Sequence, residues 1–239
     1  VIKEALEYLV NLGNTRVEQV GDQQFSTQPL YLVKEPTPEE IKVQSLSGLA
    51  DYIISNFDEF VTGSGRLMVH VIDPVTVVAF SQLNFDQKRS RFIRAEANLP
   101  SFSFDRFYGT EEFNVKLQSA FLKSLDRDVL LQVVGNLQEE NVANTGDDGV
   151  TQTVVVKTGV ATLNKAEVPN PVNLAPFRTF TEVDQPFSDF IFRMRTGPTC
   201  ALFEADGGAW ELQAMKNIKE FLAGTLDELI EQDKVIIIA

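Results

Sequence analysis

Two sets of residues in this chain have the types and spacing to do chemistry. The first is a group of arginines. Lys88, Arg89, Ser90, Arg91, Phe92, Ile93 and Arg94 form the one dense basic run. On a strand, Arg89 and Arg91 point to one side, and Lys88, Phe92 and Arg94 to the other. Arg178, Arg193 and Arg195 add three guanidiniums further along, and Arg193 and Arg195 share a strand face. A guanidinium is a planar fork that fits phosphate or carboxylate oxygens. These arginines can line a pocket for an anionic ligand such as a nucleotide. They can also pair with the 34 acids of the chain, within one copy or across a subunit contact.

The second set lies just downstream. Glu204 and Asp206 precede Gly207, Gly208 and Trp210, and Asp147 with Asp148 makes another acidic pair. Neighbouring carboxylates can hold Mg²⁺, which makes Glu204 and Asp206 weak metal candidates. Asp206 can equally cap a helix that starts after the glycines. Gly207-Gly208 could cradle a phosphate on backbone amides. The alternative is a tight strand-to-helix junction covered by Trp210.

Other chemistries are disfavoured. His70 is the single histidine and sits at an alternating position in RLMVHVI, so two-histidine metal sites are excluded. Cys200 is the single cysteine and lies in an apolar stretch without a neighbouring base, which argues against a disulfide or an activated thiolate. No phosphate-loop, dinucleotide or nucleophile-elbow pattern is present. No catalytic residue and no cofactor is expected.

Composition narrows the partners. The formal net charge of −13 repels nucleic acid and anionic membrane. No stretch approaches the roughly 20 apolar residues of a membrane span. The first ten residues carry acids inside their apolar pattern, unlike a secretory signal. With one cysteine, a reducing cytoplasm is the expected compartment. The 18 phenylalanines exceed what short strands readily bury, which suggests a homo-oligomer.

The elements that must position these residues follow from periodicity. Residues 2–12 read as a helix with Ile2, Ala5, Leu6, Leu9 and Val10 on one face, and 13–29 as a polar loop. A strand is expected at 30–33, broken by prolines at 36 and 38. Residues 45–57 form a helix capped by Ser45 or Ser47, with Leu46, Leu49, Ile53 and Ile54 inward. Strands at 66–72, 75–82 and 89–95 make an antiparallel meander. Thr110 caps a helix to about 122, and Asp126 caps another to Gly135. A polar loop covers 138–149. Strands follow at 150–157, 160–163, 178–183, 190–195 and 201–204. A helix over 209–222 turns Leu212, Met215, Ile218 and Leu222 inward. A short helix at 225–232 and a strand at 235–238 close the chain. Strands in runs, without strict alternation with helices, indicate an α+β fold with antiparallel sheets. One composite domain over 1–239 is expected, with a possible internal boundary at 138–149. The two β blocks and the last strand are expected to share a sheet.

The segments DDGVTQTVVVKTG, NLAPFRTFTEVDQP, FIFRMR and ALFEADGGAW resemble the YfdQ-like family of phage and prophage proteins. The likeness is strongest over 147–222. The family has no assigned function and supplies no catalytic residues. It implies a phage-borne protein acting in the bacterial cytoplasm.

These readings favour a non-enzymatic accessory protein of the anti-defence type. It would self-assemble and bind or sequester a host protein or an anionic small molecule. Three alternatives remain: a capsid-like shell protein, built on the hairpin of 66–95 followed by a helix; a replication or recombination factor using the 88–94 strand, with Phe92 stacking on bases; and a Mg²⁺-dependent hydrolase using Glu204 and Asp206.

Overall fold

The computed structural model describes residues 2–14, 16–20, 23–26, 39–55, 65–84, 87–135, 146–147, 152–158, 162–195, 197 and 199–239. The chain divides into two compact units, Val1–Thr37 and Pro38–Ala239.

In the first unit, helix α1 spans Ile2–Gly13, and its apolar residues Ile2, Leu6, Leu9 and Val10 are exposed. Strands β1 (Val17–Val20) and β2 (Gln23–Ser26) pair antiparallel, with Val17 opposite Ser26. This corrects the expected loop over 13–29. β1 is exposed along its whole length, so no buried alternation marked it in the sequence. The strand expected at 30–33 and the proline break after it lie outside the described residues.

The second unit is α+β. Its elements run β3 (Ile41–Val43), α2 (Leu46–Ser55), β4 (Leu67–Asp73), β5 (Thr76–Phe80), β6 (Arg91–Glu96) and β7 (Tyr108–Gly109). Helices α3 (Thr110–Ala120) and α4 (Leu125–Gly135) follow, then β8 (Gly146–Asp147), β9 (Gln152–Thr158), β10 (Thr162–Glu167) and β11 (Val172–Leu174). β12 (Ser188–Arg195), β13 (Thr199–Glu204), α5 (Ala209–Thr225), α6 (Asp227–Glu231) and β14 (Val235–Ile238) complete it.

β4, β5 and β6 form the expected antiparallel meander. β14 and β3 add to its edges in parallel, giving the order β14-β4-β5-β6-β3. A separate sheet has the order β11-β12-β13-β7, and β10-β9-β8 make a third. The two β blocks therefore do not share a sheet, and only the last strand joins the first block. Apart from β8, the loop expected at 138–149 falls outside the described residues, and with it most of the possible boundary there.

Two hydrophobic cores hold this unit together. In the first, Leu46, Leu49 and Ile53 of α2 and Ile218 and Leu222 of α5 pack on Val69, Val71, Val77 and Ile93 of the five-stranded sheet. Each such side chain contributes about 1.5–3 kcal/mol on burial. Ile54 and Leu212, expected inward, point outward at 51% and 74% exposure. Each lies just off the stripe that faces the sheet. In the second core, α3 and α4 supply Phe113, Phe121, Leu130 and Val134, packed against Phe190, Phe192 and Leu202 of the four-stranded sheet. The rings of Phe102 and Phe121 meet edge to face at 4.9 Å, and Phe104 stacks on Phe190 at 5.1 Å. Among the described side chains the phenylalanines are buried or half-buried except Phe187, which is exposed.

The caps match expectation at α2 and differ at α3 and α4. Ser45 caps α2, its Oγ accepting from the Gly48 amide at 3.1 Å. Gly109, without a side-chain bond, precedes α3 where Thr110 was the expected cap. Ser124 caps α4 by accepting from the Arg127 amide at 3.2 Å. Asp126 instead accepts from the Asn173 amide at 2.7 Å, tying α4 to β11.

Residues 178–183 are not a strand. The Gln185 side chain takes the bonds that a neighbouring strand would make. Its Oε1 accepts from the amides of Arg178 at 3.0 Å and Thr179 at 3.2 Å. Its Nε2 donates to the carbonyls of Phe180 at 2.9 Å and Val183 at 3.1 Å. Buried backbone polar groups need partners, and here one side chain serves five, the Thr179 carbonyl at 3.5 Å included.

Candidate functional site

Arg178 sits at the centre of a buried cluster and is 7% exposed. Its Nη1 donates to Glu204 Oε1 at 2.7 Å, and its Nη2 donates to Ser188 Oγ. The Trp210 ring lies 4.0 Å from the guanidinium, with Phe190 at 5.5 Å and Phe104 at 5.8 Å. Burial pushes the Arg178 pKa down, and Glu204, Asp206 and Glu211 only partly offset this. The side chain spans β12, β13 and the start of α5 because each donates one partner.

Asp206 extends the cluster. Ser188 hydrogen-bonds to it, and its Oδ1 accepts from the Gly208 amide at 3.1 Å. Burial raises its pKa, but Ser188, the Gly208 amide, Arg178 and the Trp210 amide together pull it below the usual carboxylate range. Gly207 at φ 64° and Gly208 at φ 81° supply the left-handed turn that lets the carboxylate fold back on the helix start. The amides that could cradle a phosphate are therefore occupied by the chain's own anion. Glu204 is paired with Arg178. Among the described residues, no group of three His, Cys, Asp or Glu side chains is placed to hold a metal.

The other arginines are distributed over two sheets. Arg193 and Arg195 lie opposite Ala201 and Thr199 on the face of the four-stranded sheet away from Phe190 and Phe192. Arg195 covers the Phe107 ring at 3.9 Å, and Arg193 is half-buried. Arg91 and Arg94 belong to β6 of the five-stranded sheet and Arg89 lies just before it, so the basic run and the later arginines do not form one cluster.

The face of the five-stranded sheet turned away from α2 and α5 is the less expected feature. The register sets Ile238, His70, Val78, Arg94 and Lys42 side by side across all five strands. A second row places Ile236, Met68, Phe80 and Arg91 together. Neither hydrophobic core draws on these rows. The face therefore grades from isoleucine at β14 and methionine at β4 to arginine at β6 and lysine at β3. Arg94 is neutralised by Glu96 at 3.0 Å and Glu40 at 3.4 Å. Hydrogen bonding to Glu96 outweighs burial and holds the Arg94 pKa above its ordinary value. Arg89 leans over Phe80 at 5.3 Å and donates to Met68 Sδ and the Ser81 carbonyl. Among the described residues, Arg89, Arg91, Lys42 and Lys88 make no ion pair. Phe92, by contrast, is buried in the core, which removes the ring expected to stack on bases.

Two residues expected to be inert are placed accordingly. Cys200 is buried in β13, and burial pushes its thiol up to about 12. His70 is half-buried, edge-on to Phe80 with ring centres 6.3 Å apart. Sequence reasoning missed Ser188, Gln185 and Glu182, whose partners lie at the far end of a loop or on another element. It also missed Lys42, which reaches the arginines only through the parallel pairing of β3 with β6.

The chain matches no protein-family model, and neither a curated protein nor a solved structure resembles it significantly.

Proposed function

We infer that this protein works by holding a partner rather than by breaking bonds. It self-associates and sequesters an anionic host factor or a small anion such as a nucleotide. Its likeness to YfdQ-like proteins fits a phage or prophage accessory role of the anti-defence type. One observation carries the reading. The charged groups near Gly207-Gly208 are used up in the Arg178–Glu204 and Asp206 contacts, whereas Arg91 of β6, Arg89 and Lys88 just before it and Lys42 of the neighbouring β3 make no ion pair among the described residues. In a chain of net charge −13, cations without ion pairs on β3, β6 and the segment leading into β6 can bind anions.

Native mass spectrometry of the purified protein, with and without ATP as the probe anion, tests this. Masses above the monomer and saturable ATP retention, reduced at least about tenfold by Arg89→Ala with Arg91→Ala, are expected. A bare monomer that retains no ATP overturns the reading.

A further inference from the structure

The two hydrophobic cores of the second unit share no residue. Helix packing follows the same division. α2 and α5 lie on β6 and β4, whereas α3 and α4 lie on β13 and β11. The chain passes from the first half to the second after β6 and returns after β13. Residues 178–185 cross this division. They follow β11 and precede β12, both strands of the four-stranded sheet. Yet Phe180 is buried in the core of the other half, and Val183 packs against that core.

Further ties run the same way. Thr179 Oγ1 donates to the Pro74 carbonyl between β4 and β5. The Glu182 carboxylate accepts from the Leu46 and Ser47 amides at the start of α2. The Asp184 carbonyl accepts from Asn217 Nδ2 of α5 at 2.8 Å. The opening residue of the segment keeps to its own sheet, where Arg178 reaches Glu204 of β13 and Ser188 of β12. Between these anchors the backbone is irregular, and the buried Gln185 holds it folded through bonds that stay inside the segment. A segment with its own buried clamp passes on a displacement instead of absorbing it.

We propose that residues 178–185 form a latch between the two halves of the second unit. While the latch is seated the halves open together, and once it is released they open separately. This goes beyond the binding role inferred above and does not depend on it. Release requires the Phe180 ring to leave its core and the polar ties to part. Gln185 keeps the segment in one piece, so these losses form a single event. Such an event is a local opening with its own free energy, distinct from global unfolding.

Native-state hydrogen exchange of the full chain in graded urea, read by mass spectrometry, tests the latch. In the wild type, the amides of β4–β5 and of β12–β13 are expected to lose protection in step. Phe180→Ala removes the seated ring. Gln185→Ala frees the segment while every residue that ties it to either half stays in place. In each variant the protection of the two sheets should part by at least about tenfold. Leu130→Ala is the control. It hollows the second core, to which residues 178–185 contribute no side chain, so both sheets should weaken together as parts of one cooperative unit. Circular dichroism checks the fold of each variant. Thr179→Val with Asn217→Ala, which cuts ties without emptying a core, takes the place of Phe180→Ala should that chain not fold. Sheets that part already in the wild type or in Leu130→Ala, or that stay in step in every latch variant, overturn the proposal.

Discussion

The indole of Trp210 covers the guanidinium of Arg178 at 4.0 Å, while the edge of that guanidinium is held by Glu204 and Ser188. A flat cation between rings, with a carboxylate at its rim, is an arrangement only arginine fills. Arg178→Lys keeps the charge but loses the fork and the stacking plane, and it should cost about 1–3 kcal/mol. Trp210→Ala should cost about 2–4 kcal/mol. The two changes should not add. A double-mutant cycle by urea denaturation is expected to show about 1 kcal/mol of coupling or more, and additive losses would mean the ring and the cation do not support each other.

Asp206 makes the junction sensitive to acid. Its folded pKa lies below the ordinary value, so its ionised form stabilises the folded state. That contribution is complete above the unfolded pKa, near 4, and is lost as pH falls through the lower folded value. Asp206→Asn should cost about 1 kcal/mol at neutral pH, where the lost groups are cap bonds to the helix start. The gap between variant and wild type should close toward pH 2. Denaturant midpoints measured from pH 7 to pH 2 check this, and a gap that persists unchanged in acid would remove the linkage.

How far the sequence reaches is clear from these same residues. Regular periodicity revealed α2, α5 and the β4–β6 meander, because each turns one apolar stripe toward a single core. It could not reveal that 178–183 is irregular, since Gln185 replaces a strand partner through side-chain bonds that leave no periodic trace. It set Gly207, Gly208 and Trp210 beside Glu204 and Asp206 but put Arg178 with Arg193 and Arg195, whereas Arg178 lies against Glu204 and Trp210 at the start of α5. It could not tell that Asp206 fills the glycine turn, because a capping acid and a phosphate-binding turn share the same residues. It set Phe92 with Arg94. The offset between Ala79 and Phe80 in the β5–β6 pairing disturbs the alternation there and leaves both Phe92 and Ile93 buried. That Lys42 lies beside Arg94 depends on the parallel pairing of β3 with β6, and that is long-range information.

Glu182 shows how a distant acid can serve as a helix cap. Its carboxylate accepts from the amides of Leu46 at 2.6 Å and Ser47 at 2.8 Å, and from the Ser47 hydroxyl. These are unpaired donors at the positive end of α2. Glu182→Ala should cost about 1–2 kcal/mol, and Glu182→Gln roughly half as much, because the amide oxygen still accepts but brings no charge. Hydrogen exchange should report the loss first in the amides of the opening turn of α2. Equal protection of that turn in wild type and Glu182→Ala would show that the contact adds nothing.

Cys200 offers a probe of the second core. It is fully buried in β13 opposite Met194, and burial pushes its thiol up to about 12. A thiol shifted that far from its ordinary range carries roughly a thousandfold less thiolate at any pH below both values. Because only the thiolate attacks disulfide reagents, labelling by an aromatic disulfide at pH 8 should be at least about a thousandfold slower in the folded chain than in urea. The remaining rate should then track opening of the β12–β13 pair. Substitutions that loosen this core, such as Phe190→Leu, should raise it. A folded-state rate within about tenfold of the unfolded one would mean that this strand is reached by solvent, and that the second core does not close over it.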